Sequence, residues 1–367
     1  MKKKLIAIAI AAAFAPAAAM ADTGNLNMYG VAHISLDSVS GNATTVATKR
    51  LGVNSNSSRL GVKGSEDLGN GLKAVFQFES GVNLTGGNGV NDGNGVATTG
   101  TVFSGARDMF VGINGAFGTI TAGRQALANQ WVYDSNYFAD QLGNAAIFTD
   151  ARQGGRANGM IIYKTNDMSG FNAAVSYIPG SSLSNTSPST TEGKNSYGLK
   201  LNYAANGITA NFGYFNLGTK VIATGVAADS KPLTLAAGYD FGNGKVSAQY
   251  VKDKSDVGGA SSTQNIYNIG GKFNVSGNSV VKAQYSKAND RSGAANSGAS
   301  MFALGYDYNL SKRTTAYVSY ARTSNNTAGA FDVDSYAHGV ANGRIASTKI
   351  GETEDPNGFG VGLVHKF

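Results

Sequence analysis

Segments of about ten residues in which apolar and polar side chains alternate recur along the chain. In residues 231–241, Leu233, Leu235 and Tyr239 share one side of an extended backbone, and Thr234 lies on the other. A period of two is the pattern of a β-strand with one apolar and one polar face. Soluble sandwiches and membrane barrels both produce it, so the loops and the aromatic residues must distinguish the two.

The connections between these segments alternate in length. We recognise sixteen strands, joined in turn by short segments rich in Gly and Asn and by long polar segments. Asn and Gly supply the positive φ of tight hairpins, and short turns at one rim with long loops at the other are typical of outer-membrane barrels. The long segments are residues 40–58, 83–105, 125–158, 179–193, 218–231, 254–263, 288–299 and 323–357.

Aromatic residues concentrate near the ends of the strands. In a barrel they form girdles at the two membrane interfaces, whereas in a sandwich they fill the core. Together with the loops, they predict an all-β fold: a 16-stranded antiparallel transmembrane β-barrel with short periplasmic turns and long outer loops. The girdle candidates are Tyr29, Phe171, Tyr177, Tyr203, Phe212, Tyr214, Tyr239, Phe241, Tyr250, Tyr285, Tyr306, Tyr308, Tyr317 and Tyr320.

The amino terminus has the pattern of a secretory signal. Three lysines at residues 2–4 precede an apolar stretch that ends in Ala19, Met20 and Ala21. A membrane anchor is the alternative, but the stretch has 17 residues, fewer than the ~20 that span a bilayer. We expect cleavage after residue 21, so that residues 22–367 form the barrel domain. Removal of the three lysines lowers the formal net charge from +7 to +4, which gives no support to a nucleic-acid partner.

Composition argues against an enzyme. Charged residues make up 14% of the chain, against about 25% in soluble domains, and the mean hydropathy is −0.15. The chain has no cysteine, which excludes disulfides, thiol catalysis and thiolate metal sites. Its three histidines, His33, His338 and His365, lack the spacing of metal ligands or of a catalytic group. We therefore expect no catalytic site, metal or cofactor.

The chain ends in an alternating segment that runs to its last residue, Phe367. In lipid, an open sheet edge leaves unpaired backbone groups that cost several kcal/mol each. The last strand is therefore expected to pair with the first, around residues 25–36.

Several segments resemble one known family. They include RLGVKGSEDLGNGLKAVFQFE at residues 59–79 and GVGLVHKF at residues 360–367. The whole mature chain is similar to the general porins of Gram-negative bacteria, particularly those of the neisserial and burkholderial type. This resemblance implies a homotrimeric diffusion channel for small hydrophilic solutes and ions, surrounded by outer-membrane lipid and lipopolysaccharide. It also implies that the terminal Phe367 is an assembly signal for the barrel-insertion machinery.

The third long loop, residues 125–158, is 34 residues long and rich in aromatic side chains, including Trp131, Tyr137 and Phe138. Loops beyond ~12–15 residues are usually functional or disordered, and this one is too apolar for disorder. We expect it to fold into the barrel, where the resemblance implies that it forms the constriction. A lid on the outer surface is the alternative.

The resemblance further implies basic wall residues that face acidic residues of the third loop across the pore. Such opposed charges orient dipolar solutes and set ion preference. The positive excess predicts a mild anion preference, which Glu79 would weaken if it faces the lumen. Arg107 shares the phase of outward-facing neighbours, so it needs a bulge or a strand end to turn inward. The candidates are Arg59, Lys63, Arg107, Arg124, Arg156, Tyr133, Asp134, Tyr137 and Asp140.

A second function class stays open on the sequence alone. The long loops of a barrel also serve adhesins and receptors. Barrels of about 16–18 strands leave an aqueous lumen, which favours the channel.

Overall fold

A computed structural model describes residues 25–40, 49–85, 103–127, 133–149, 155–180, 191–221, 227–257, 259–333 and 355–367. Two short 3-10 helices, Tyr133–Ser135 and Ala145–Phe148, lie in the third loop. No helix in these ranges is long and apolar enough to cross a bilayer. The strands are β1 (Asn25–Ser40), β2 (Lys49–Ser55), β3 (Arg59–Gly69), β4 (Leu72–Val82), β5 (Phe103–Gly115), β6 (Gly118–Ala126), β7 (Arg156–Lys164), β8 (Phe171–Ile178), β9 (Thr191–Gly193), β10 (Ser196–Ala205), β11 (Ile208–Val221), β12 (Ala227–Ser230), β13 (Leu233–Asp240), β14 (Gly244–Val257), β15 (Ala260–Ser276), β16 (Ser279–Ala288), β17 (Ala299–Asn309), β18 (Thr314–Asn325) and β19 (Asn357–Lys366).

These nineteen segments form sixteen barrel strands. β2 and β3 both pair with β1 and are one strand interrupted at residues 56–58. β9 and β10 both pair with β11, and β12 and β13 both pair with β11 and β14. All pairs are antiparallel, and the predicted fold class and strand number are confirmed.

The barrel closes between its first and last strands. β1 and β19 pair from Val31 opposite Lys366 to Ser40 opposite Asn357. Phe367 extends the ladder: its amide donates to the Gly30 carbonyl at 3.2 Å, and its carbonyl accepts from the Gly30 amide at 3.0 Å. The predicted pairing of the two chain ends is therefore confirmed.

Two predicted loops are partly or wholly strand. Residues 49–55 of the first loop are β2, paired with the upper half of β1. The predicted loop at residues 254–263 is a tight hairpin, because β14 and β15 pair as far as Val257 opposite Ala260. Residues 254–263 lack the apolar–polar alternation that identifies strands, whereas β2 alternates only over the short run of Leu51 to Asn54.

The side-chain alternation separates a lipid face from a lumen face. Outward positions are apolar and exposed, for example Leu26 at 71% and Ile269 at 59%. Inward positions are mostly polar, as an aqueous lumen requires. Most girdle candidates lie outward, but Tyr29 and Tyr317 are corrections. Both belong to the inward phase of their strands, and Tyr317 is 2% exposed.

The short turns have the backbone geometry that their sequences predict. Asn70 and Gly71 have φ of 52° and 75°, and Asn206 and Gly207 have φ of 53° and 77°. Consecutive residues with positive φ are the mark of tight hairpins that match strand twist.

The third loop folds into the barrel, as predicted. Phe138 and Leu142 are fully buried against Val39, Ala303 and Ala321 of the inner wall. Further along, Ala145 and Phe148 pack against a second apolar cluster formed by β14 to β17. Trp131 lies outside the described residues. The loop thus covers the inner wall of β14 to β19 and leaves β3 to β7 facing the open lumen.

Candidate pore constriction

A group of linked charges lies on the wall of β3 to β7. It consists of Arg59, Arg107 and Arg156 with Glu79 and Asp108, and is called the arginine group below. Glu79 accepts a hydrogen bond from Arg107 Nε, and Arg59 Nε lies 4.0 Å from its other carboxylate oxygen. Arg156 Nε donates to Asp108 at 2.9 Å. The group therefore contains three cations and two carboxylates, a net charge of +1.

A β-bulge turns Arg107 toward the lumen. Phe78 pairs with Met109 and Ser80 pairs with Ala106, so one residue of β4 lies opposite two residues of β5. The extra residue resets the strand phase, because inward and outward positions alternate along a strand. Arg107 then faces Glu79, so a bulge, one of the two ways in which the sequence allowed Arg107 to turn inward, is present.

Tyr29 and Lys63 continue the group toward the short-turn rim. The Tyr29 hydroxyl donates to Glu79 at 2.9 Å. The Lys63 ammonium lies 5.0 Å from the centroid of the Tyr29 ring, within cation–π distance. Tyr29 thus orients the carboxylate that lies between two arginines.

The third loop fits glycine sites of the opposite wall. A Cβ added at Gly305 would lie 2.9 Å from the Phe138 ring, and one at Gly270 would lie 2.8 Å from the Tyr137 ring. A Cβ on Gly358 would lie 3.0 Å from Leu142. The missing side chains of these wall glycines provide the space for the loop.

Polar contacts fix the loop on this wall. Lys282 is 6% exposed and donates to Gln141 of the loop at 2.9 Å, while its ammonium pairs with Asp307 at 2.8 Å. Gln284 accepts from the Tyr137 amide at 2.8 Å and donates to the Gly143 carbonyl at 3.1 Å. A buried ammonium with a carboxylate and an amide partner is costly to disrupt. These contacts hold the loop at a set distance from the arginine group.

Tyr137 adds a further anchor. Its hydroxyl accepts from Ser247 at 3.0 Å, and burial raises the pKa of Tyr137 above its usual value. The phenol therefore stays protonated and available as a donor across the ordinary pH range.

The two acidic residues predicted to face the arginines, Asp134 and Asp140, lie far apart in the described part of the loop. Asp134 is 70% exposed, and its carboxylate lies 3.6 Å from Lys245 of β14. Asp140 has a positive φ of 60° and accepts from Ser57 at 3.0 Å, beside Arg59. Two carboxylates that pair with the arginines, Glu79 and Asp108, come from the wall itself. Tyr133 is described only through its backbone, at the start of the first 3-10 helix.

Arg124, predicted to line the constriction, lies instead on the outward phase of β6. It pairs with Met109, whose other cross-strand partner is the outward-facing Phe78. Its guanidinium donates to the Ala106 carbonyl and to Asn158, both at 2.8 Å. A register shift also occurs between β6 and β7, where Arg124 lies opposite Asn158 and Gly159, but the extra residue belongs to β7 and the phase of Arg124 in β6 is unchanged.

Comparison with known proteins identifies the family. The model of the Gram-negative porin family matches residues 7–328. Outer membrane porin protein 32 of Delftia acidovorans is 32% identical over 290 residues, which cover 76% of this chain and 77% of that protein. The chain belongs to the Gram-negative porin family. It is an outer-membrane channel for solutes, as the sequence predicts.

Other relatives and solved structures agree. Major outer membrane protein P.IB of Neisseria gonorrhoeae is 34% identical to this porin over 224 residues, 58% of this chain and 56% of that protein. The solved anion-selective porin from Comamonas acidovorans superposes with a TM-score of 0.75 at 26% identity, and covers 94% of this chain and 100% of its own. Outer-membrane expressed OmpT of Vibrio cholerae, at 15% identity and a TM-score of 0.67, shares the fold, with 95% of this chain and 99% of OmpT covered.

The two described histidines lie on opposite faces of the barrel wall. His33 faces the lumen and lies 2.9 Å from the Tyr317 hydroxyl, while His365 belongs to the outward phase of β19 and contacts Thr314. His338 lies outside the described residues. Within the described ranges, no group of three His, Asp or Glu side chains could hold a metal ion.

Sequence reasoning missed part of the site. Lys282, Gln284 and Asp307 anchor the loop, yet each looks like an ordinary inward-facing polar residue of its strand. Asp108 was missed because it follows Arg107 directly, and only the bulge brings both to the lumen. The wall glycines were visible as inward positions in alternating segments, which was the available signal for a close backbone approach.

Proposed function

We propose that this porin is a water-filled diffusion channel for small hydrophilic solutes and ions, with its constriction between the arginine group and the third loop and with a mild preference for anions. The observation that carries the proposal is the imbalance of the arginine group, in which three arginines face two carboxylates. Basic residues that line a narrow pore favour anions, and the effect fades as salt shortens the screening length, ~10 Å at 0.1 M. The Comamonas acidovorans porin, described as anion-selective, supports the same reading.

The test is the zero-current potential of the purified porin in a planar bilayer across a gradient of KCl. We expect the wild-type potential to show anion preference at low salt. Replacement of Arg59 and Arg156 by Ser should shift it toward cation preference. Arg124→Ser is the control for position: it removes one positive charge from the outward phase of β6, and its potential should stay near the wild-type value, whereas Arg59→Ser and Arg156→Ser alone should each shift it. A cation-preferring wild type, or a double variant without any shift, would contradict the assignment.

We also propose that the porin is a homotrimer in contact with lipopolysaccharide and outer-membrane lipid. The outer faces of the barrel support this. Tyr29 is the only tyrosine between residues 25 and 127, and it faces inward. The outward surface of β1 to β5 instead carries exposed Leu26, Met28, Leu51 and Val53. The exposed aromatic residues of this surface, such as Phe78 and Phe103, are phenylalanines. A wall that lacks the tyrosines of an interfacial girdle is suited to a neighbouring subunit rather than to the lipid interface. Migration as a monomer only, in unheated gels of mildly solubilised protein, would contradict the trimer.

Both ends of the chain are proposed to carry export signals. Residues 1–21 are proposed to be removed as a signal peptide, and Phe367 to be read by the barrel-insertion machinery. The amino-terminal sequence of the purified porin tests the cleavage after residue 21.

A further inference from the structure

A hollow in the inner wall lies between the arginine group and the short-turn rim. Its volume is about 560 Å³, within the range of small-molecule sites. It extends across the lumen face of β1 and β3 to β7. The residues on which the inference depends are Lys63, Val75, Gln77, Phe110, Ile162 and Lys164.

The floor of this hollow is apolar where a porin lumen should be polar. Inward positions of a water-filled barrel are normally polar. Val75 of β4, Phe110 of β5 and Ile162 of β7 are half-buried, face inward and all line the hollow. Val75 pairs with Gly112, Gly112 with Thr121, and Thr121 with Ile162, so Val75 and Ile162 share one cross-strand row. Ile162 also packs against a buried apolar cluster, whereas Val75 does not; the cluster consists of Leu127, Ala157, Met160, Ile178 and Phe215.

Two ammonium groups flank this floor. Lys63 lies on the side of the arginine group, over the ring of Tyr29. Lys164 lies toward the short-turn rim, opposite Thr119. Within the described part of the chain, no carboxylate lies within 4.0 Å of either ammonium. Lys200 stands two strands from Lys164, with Ala174 between them, and adds positive potential rather than compensation.

We propose that this hollow is a subsite for organic anions that carry an apolar ring, of the aromatic monocarboxylate class. The ring would lie on the apolar floor, and the carboxylate would face Lys63 or Lys164, with Gln77 as a hydrogen-bond donor. A small inorganic anion has no apolar surface that could contact the floor. A neutral aromatic compound has no charge that could pair with the ammonium groups. The inference rests on the proposed function, since the ligand reaches the hollow through the channel.

An occupied hollow narrows the lumen next to the constriction. A bound aromatic carboxylate should therefore lower the chloride current while it is present. Acetate has the charge without the ring, and benzyl alcohol has the ring without the charge. Neither should lower the current at concentrations where benzoate does.

The experiment records single-channel chloride current of the purified porin while benzoate, acetate or benzyl alcohol is added. Val75→Thr keeps the shape of the side chain but replaces a methyl by a hydroxyl, and should raise the half-blocking concentration of benzoate by about fivefold. Ile162→Thr and the pair Lys63→Gln with Lys164→Gln should each raise it by a similar factor. Lys272→Gln, on the inner wall of β15 and outside the hollow, is the charge control and should leave it unchanged. Unheated gel mobility shows which variants have folded.

The outcomes separate this inference from the proposed function. Equal effects of benzoate and acetate, or an unchanged benzoate block in folded Val75→Thr and Ile162→Thr, would overturn the subsite and leave the channel intact. Absence of any conductance in the wild type would overturn the channel itself.

Discussion

At the scale of single residues, Glu79 controls the charge of the constriction. It is 6% exposed and contacts Arg59, Arg107 and Tyr29. A carboxylate so placed neutralises arginine charge and also fixes the two guanidinium groups against the wall. Selectivity and local rigidity therefore depend on the same side chain.

Glu79→Gln should strengthen the anion preference. The substitution keeps the shape of the side chain and removes one negative charge, which raises the net charge of the arginine group. It should also destabilise the barrel by about 1–3 kcal/mol, because a buried ion pair loses one partner. Zero-current potentials in a salt gradient and the temperature at which the trimer band disappears measure the two effects. Glu66→Gln, on the exposed turn side of β3, serves as control. An unchanged potential would mean that Glu79 does not act on permeating ions, and a shift toward cations would contradict the expected direction.

The sequence predicts whether a side chain faces the lumen or the lipid, provided that inward and outward positions alternate without interruption along the strand. Arg59 and Lys63 follow from alternation alone. Arg107 required a bulge, which a single sequence does not specify, because the bulge depends on how two strands pair. The prediction that Arg124 lines the constriction was wrong for a related reason: a residue next to the third loop in sequence can lie on either face of its strand.

At the scale of elements, the third loop is positioned by the wall beneath it rather than by its own secondary structure. Its described part has two 3-10 helices of three and four residues. Phe138 fits above Gly305, and Lys282 fixes Gln141. The width of the pore therefore depends on residues of β15 to β17 that do not face the permeating solute.

Gly305→Ala should reduce the single-channel conductance. The added Cβ would lie 2.7 Å from Lys282 and 2.9 Å from Phe138, so the loop must move toward the lumen. Overpacking of this kind destabilises the folded protein by about 1–3 kcal/mol. Planar-bilayer recordings measure the conductance. Gly52→Ala is the matched control, since its nearest neighbour would be 3.9 Å away. If conductance in Gly305→Ala equals that of Gly52→Ala, the loop is not held by contact with this wall.

The inward fold of the loop could be predicted because an apolar loop of this length has no stable place in water. Its contacts could not be predicted. They join Tyr137 to Gln284 and Gln141 to Lys282, pairs separated by 147 and 141 residues, and no local pattern encodes such contacts. Likewise the tight β14–β15 hairpin was interpreted as a loop because its sequence does not alternate, and β2 because its alternating run, Leu51 to Asn54, is short.

At the scale of the whole molecule, the barrel is complete only when the last strand reaches the first. Closure was predictable, because lipid does not tolerate an open sheet edge. The register between the first and last strands was not predictable, and it places Phe367 opposite Gly30. The Phe367 ring lies over Gly30, which has no side chain to obstruct it, and the Phe367 residue remains 46% exposed. The terminal residue therefore combines a backbone role in the seam with an accessible ring.

Phe367→Ser should lower the amount of porin in the outer membrane far more than the stability of the folded barrel. The serine keeps both backbone hydrogen bonds to Gly30, whereas deletion of the residue removes two bonds worth about 0.5–1.5 kcal/mol each. Phe359→Ser is the matched control: it removes an aromatic ring of similar exposure, 50%, from the same strand but not from its end. We expect Phe359→Ser to assemble near wild-type levels and Phe367→Ser to accumulate outside the membrane, with both refolded barrels similar in heat stability. Membrane fractionation at low expression measures the first quantity and heated gels the second. Equal membrane levels for the two variants would mean that the ring of Phe367 is not an assembly signal, and that the terminal residue acts only through the seam.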